Sequence, residues 1–149
     1  MKRVGLWAMG IGLFITVGLI TVEQGHPAGH EECSNASYRG DYGFTATGTT
    51  PGGAIAIVGR FTADGHGHIS GTQTRIVANS INSDTYTETY TVNPDCTGSS
   101  TKTLTSGGNP IDFDFVIVQG GRKIRSIEKI PNVNVEVTLV ADRISEEDD

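Results

Sequence analysis

Tyr90-Thr91-Val92-Asn93-Pro94-Asp95-Cys96-Thr97-Gly98 is the stretch whose reading decides the fold. Tyr90 and Val92 alternate with Thr91, the period of a strand with one wet face. Asn93-Pro94-Asp95 then turns the chain, because proline presets φ and Asn and Asp side chains bond back to nearby backbone. Cys96 follows, and Thr97-Gly98 opens a second extended run. Upstream, from Asp84, the alternation continues as Tyr86, Glu88, Tyr90 and Val92 against Thr85, Thr87, Thr89 and Thr91.

Working outward, the same period recurs on both sides. Asp41 to Thr47 puts Tyr42, Phe44 and Ala46 on one face. Ala54 to Ala63 sets Ile55, Ile57 and Phe61 against Val58. Asp64-Gly65-His66-Gly67 is a tight turn, its glycines supplying the positive φ that hairpins need. His68 to Ala78 is extended, and Asn79 to Ser83 reads as a turn. After the corner, Gly98 to Leu104 is a Thr/Ser-rich strand, and Ser106 to Pro110 turns. Ile111 to Val118 alternates Ile111, Phe113, Phe115 and Ile117 with Asp112, Asp114, Val116 and Val118. Gln119-Gly120-Gly121 is a hairpin, and Arg122 to Ile130 aligns Ile124, Ser126, Glu128 and Ile130. Pro131-Asn132 turns, and Val133 to Asp142 aligns Val133, Val135, Val137, Leu139 and Ala141.

Eight short strands with short connections predict an all-β domain of antiparallel neighbours over residues 33–144. Eight such strands in meander order close into an up-and-down barrel, wide enough inside for side chains or one small ligand. A two-sheet β-sandwich is the alternative.

The first residues carry an address. Met1-Lys2-Arg3 is basic, and Val4 to Val22 is uncharged and mostly apolar. That pattern predicts a helical secretory signal peptide, with its linker, over residues 1–29. The apolar run is also long enough for an uncleaved anchor over residues 4–22, the one route by which this chain would touch a membrane. Export makes a disulfide between Cys33 and Cys96 the default, with two free thiols as the alternative. Residues 145–149, Ser-Glu-Glu-Asp-Asp, form an acidic tail expected to be solvated and disordered. The formal net charge is −6, or about −8 without Lys2 and Arg3. An acidic chain with no basic cluster argues against nucleic acid as a partner.

The candidate cavity lining is Tyr42, Phe44, Tyr86, Glu88, Tyr90, Phe113, Phe115 and Glu128. Glu88 and Glu128 stand out, because alternation places each carboxylate on an apolar face. Inside a barrel such groups have raised pKa values and can act as acids. They would instead be structural at a wet rim, or paired with an arginine such as Arg75. Asp64, His66 and His68 are too few ligands for zinc and read as a hairpin turn. His26 and His30 lie in a linker broken by Pro27 and Gly29. Asn35-Ala36-Ser37 is a formal glycosylation sequon. No nucleophile motif, phosphate loop, metal set or cofactor motif is legible, and no catalytic residue is assigned.

Cys33, Tyr38-Arg39-Gly40-Asp41-Tyr42-Gly43-Phe44, Gly59 to Gly67, Gly71 and Tyr90 to Gly98 together resemble a group of small exported bacterial proteins of unknown function. Those are hypothetical barrels similar in outline to calycins and to the allene oxide cyclase-like barrel. The resemblance covers Cys33 to Ile144 and implies the barrel, the Cys33–Cys96 bridge, and export, to the periplasm if the envelope has two membranes. It carries no catalytic residues across, since fold analogy does not assign function. Three functions follow as expectations. The first is an exported barrel binding a small apolar or amphipathic molecule or a partner surface. The second is a cyclase or isomerase using a buried glutamate, and the third is a structural envelope protein.

Overall fold

The computed structural model describes residues 32–129 and 135–144. The expected signal segment, the acidic tail and the Pro131-Asn132 turn lie outside the described residues. Among the described residues no helix is long and apolar enough to cross a membrane.

A 3-10 turn, Asn35–Ser37, leads into eight strands: β1 (Arg39–Thr50), β2 (Gly53–Asp64), β3 (His68–Val77), β4 (Ser80–Val92), β5 (Thr97–Leu104), β6 (Ile111–Val118), β7 (Lys123–Lys129) and β8 (Glu136–Arg143). Each pairs antiparallel with the next in sequence, and the ring closes. The closing pair, β1 with β8, runs from Tyr42 opposite Arg143 to Thr49 opposite Glu136. A single closed sheet replaces the sandwich alternative.

The strands are longer than the sequence periods suggested at several ends. The largest correction is between β3 and β4. Asn79 to Ser83 is not the turn. Ala78 and Asn79 make it alone, both at positive φ (44° and 72°), and β4 begins at Ser80. A two-residue loop with both residues left-handed matches the twist of the flanking strands. The signal was weak because alanine is an uncommon occupant of that conformation.

Alternation sends one face of every strand inward. Tyr42, Phe44, Phe61, Tyr86, Tyr90, Phe113, Phe115, Ile124 and Val137 are all buried. Eight strands leave an interior that side chains can fill. Inward glycines make room for the rings. At Gly71 a Cβ would sit 2.6 Å from Cζ of Tyr86, and at Gly59 2.6 Å from Cε1 of Phe44.

One end of the barrel is plugged by a residue outside the strands. Tyr38 is buried, with its ring centroid 4.9 Å from Tyr90, 5.2 Å from Phe115, 5.6 Å from Tyr42 and 6.1 Å from Phe61. The phenol of Tyr90 donates to the Tyr38 carbonyl at 2.7 Å, and that of Tyr42 to the Gly121 carbonyl at 2.6 Å. The Cys33–Cys96 disulfide, with Cα atoms 4.9 Å apart, fastens the segment carrying Tyr38 to the β4–β5 corner. The Cys33 amide donates to the Pro94 carbonyl at 3.0 Å. The Val92 amide donates to Asn35 Oδ1 at 2.9 Å, so the sequon asparagine is used in the fold.

Candidate functional site

Besides Gln73 and Asp84, four polar side chains come together inside the barrel. Glu88 on β4 faces Lys102 on β5 directly in register. Ser100, also on β5, shares that inward face, and Glu128 enters from β7 opposite Phe113. Lys102 is 4% exposed. Its Nζ lies 4.4 Å from the ring centre of Tyr86, 4.9 Å from Phe113 and 5.4 Å from Phe44. Aromatic faces are negative at their centres, so three of them partly replace the water an ammonium loses on burial.

Burial is the main influence on each charge. It raises the Glu88 carboxyl, while the Lys102 charge and the Ser100 hydroxyl pull it back. It lowers Lys102, against the opposing pull of Glu88 and Glu128. It raises Glu128, with Lys102 opposing. Burial also raises the Tyr38 phenol well above the ordinary value, with Glu88 adding to the rise. Tyr86 is raised by the same two causes.

Beside this cluster is a cavity of about 20 Å³, lined by Tyr38, Tyr86, Glu88, Ser100, Lys102 and Ser126 among its polar-bearing residues. Of the residues expected to line a cavity, Tyr86, Glu88, Phe113 and Phe115 do. Tyr42, Phe44 and Tyr90 are buried in the packing instead. Glu128 joins the cluster through its charge without lining the cavity.

No protein-family model matches the chain, and no curated protein matches it. The site therefore has to be read from its own chemistry.

That chemistry is an acid, an amine and phenols brought together, the ingredients of proton transfer. The space is too small for a substrate, since ligand pockets are roughly 300 Å³ or more. The larger concavities of the described residues are on the outside. One of about 720 Å³ runs over the outer faces of β5 to β7, past Ser99, Asp114, Arg125 and Lys129. Another, of about 440 Å³, is lined by hydroxyls, among them Thr62, Ser70, Thr72, Thr85 and Thr87.

Arg75 pairs with neither glutamate. Its Nε is 3.0 Å from Oδ2 of Asp84, whose side chain is 3% exposed. The pair is close without being aligned as a hydrogen bond, and the neighbouring buried Gln73 has an Oε1 with no partner among the described residues. The Asp64 loop is a turn held by its own backbone: Oδ1 accepts the amides of His66 at 2.7 Å and His68 at 3.0 Å. Those bonds hold the Asp64 carboxyl below its usual range.

Lys102 is the residue that sequence reading missed. Its strand alternates Gly98, Ser100, Lys102 and Leu104 against Ser99, Thr101 and Thr103. Neither face is clearly apolar, so periodicity gives no inside. The available signal was register: the partner of Glu88 on β5 has to be found by counting across the β4–β5 corner.

Proposed function

We propose that this protein is an exported, disulfide-fastened barrel that works through its outer surface, binding a partner rather than carrying a small molecule inside. The observation that carries this reading is the filled interior, whose cavity among the described residues is about 20 Å³. A barrel that carries a ligand keeps its centre open; here aromatic rings, Lys102 and Glu88 occupy it. The exterior supplies what an interface needs. Ile76 and Ile81 face each other across β3 and β4, 44% and 70% exposed, and Val58 on β2 is 59% exposed. Apolar side chains grouped among hydroxyls suit a protein surface better than they suit bulk water. The disulfide is consistent with an oxidising compartment, and supports export to the periplasm or beyond as part of the same proposal. The calycin-like outline agrees with the barrel and adds no activity.

Native mass spectrometry of protein purified from its own host tests the reading. The expected result is the mass of the polypeptide with no small-molecule adduct. A stoichiometric co-purifying lipid or other apolar molecule would overturn it in favour of ligand carriage.

The convergence of Glu88, Lys102 and Tyr86 favours a second reading, acid–base catalysis of a cyclisation or isomerisation. It requires the barrel to open around a substrate. Glu88→Gln would then abolish activity toward that substrate while the fold persists.

A further inference from the structure

The interior polar cluster poses a question of solvation. An ammonium with 4% exposure needs hydrogen-bond acceptors, since a buried charge without them is strongly disfavoured. Aromatic faces attract the charge but do not replace three donors' worth of partners. Glu88 is opposite in register, yet the ion pairs of the described residues are Arg75 with Asp84, Lys123 with Asp142 and Lys129 with Asp114. Lys102 therefore stands more than 4.0 Å from either glutamate oxygen. Something has to span that gap.

The cavity lies where the span is needed. Its lining residues include Lys102, Glu88, Ser100 and Ser126. Its volume of about 20 Å³ compares with the roughly 10–15 Å³ required for one water, which also needs two to four polar partners. Buried polar atoms that line the cavity are absent from the buried groups left without partners, which are on Gln73, Arg75 and Asp84.

We propose that this cavity is a binding site for one resident water molecule, which accepts from Lys102 and donates to Glu88. Ser100 and Ser126 complete its shell. No small cation fits beside the ammonium, and the Glu88 carboxylate disfavours an anion, so a neutral donor–acceptor is the chemistry the lining selects. The water joins β4, β5 and β7 where Glu88, Ser100, Lys102 and Ser126 come together. This inference is independent of the partner-surface reading.

Magnetic relaxation dispersion of solvent ¹⁷O and ²H, on the purified protein, counts waters held inside for longer than tumbling. Ser126→Val should fill the space, and Ser126→Ala should leave it. The expected result is a loss of one slow water in S126V and retention in S126A, with both variants unfolding cooperatively. Equal amplitudes in the unmodified protein and folded S126V would overturn the proposal. If S126V does not fold, a high-resolution crystal structure of the unmodified protein decides. Density within about 3.2 Å of both Lys102 Nζ and a Glu88 oxygen supports the site; a direct Lys102–Glu88 contact with nothing between overturns it.

Discussion

Glu88 and Lys102 put opposite charges on one inward face, and each carries a definite pH signature. Burial raises the Glu88 carboxyl. Its contribution to stability is full below the ordinary carboxylate range and is lost as pH rises through the raised value. Lys102 is lowered, so its contribution is full above the ordinary lysine range and is lost as pH falls through the lowered value. Glu88→Gln removes the first dependence. The melting temperature of the unmodified protein, relative to E88Q, should fall as pH rises from the ordinary carboxylate range through the raised value of Glu88. Parallel curves would show that Glu88 does not titrate from a buried position. A double-mutant cycle tests the pair directly. Lys102→Met alone leaves the Glu88 carboxyl without its cation, whereas E88Q/K102M removes both charges of the pair and leaves only Glu128. The double variant should therefore be less destabilised than the sum of the singles, by about 0.5–3 kcal/mol from chemical denaturation. Strict additivity would mean the two groups do not interact.

At the scale of elements, the β4–β5 corner does two jobs. It turns the chain, with the Asp95 carboxylate accepting the Thr97 hydroxyl at 2.6 Å and the Thr97 amide at 3.0 Å. It also anchors the plug segment through Cys96. Cys33 and Cys96 are 63 positions apart, and a loop of that length restricts the unfolded chain by about 4 kcal/mol in the entropy model. Cys33→Ser should lower the melting temperature in non-reducing buffer, and reductant should then have no further effect. A melting temperature equal to that of the unmodified protein would remove the bridge's role. On β3, Gly71→Ala would set a methyl 2.6 Å from Tyr86 Cζ and 2.7 Å from the Arg60 carbonyl. Neither neighbour can yield easily, because one is core aromatic and the other backbone. Overpacking of this kind costs about 1–3 kcal/mol, readable as a shift in denaturant midpoint. Most of these elements are legible as period-two runs. The Ala78-Asn79 turn was not, since its conformation is set by the strands it joins more than by its own residues.

At the scale of the whole molecule, closure decides whether there is an inside. β1 and β8 lie at opposite ends of the barrel sequence, and their pairing is the contact that seals the ring. Val137 and Ala141, 1% and 0% exposed, face inward from β8. Truncation before Glu136 should therefore expose the core and two unpaired strand edges, which invite aggregation. Loss of the cooperative thermal transition, with aggregates on size-exclusion chromatography, is the expected outcome. A truncated chain that remains monomeric and melts cooperatively would show that closure is dispensable.

Sequence alone determined the all-β class, the number and order of strands, and the apolar faces that carry Tyr42, Phe44, Tyr86, Tyr90, Phe113 and Phe115, while leaving open whether Glu88 and Glu128 point inward. It did so because side-chain direction in a strand depends on position along one chain, a local property with period two. The tertiary structure decided what fills the centre. Tyr38 lies outside any strand period, and Lys102 lies on a strand whose two faces are almost equally polar, so neither carries a local signal. Their places follow from cross-strand register and ring closure, which bring residues from distant parts of the chain into one small volume. That is why a barrel was readable from the sequence, while the narrowness of its interior, and the charged cluster within it, were not.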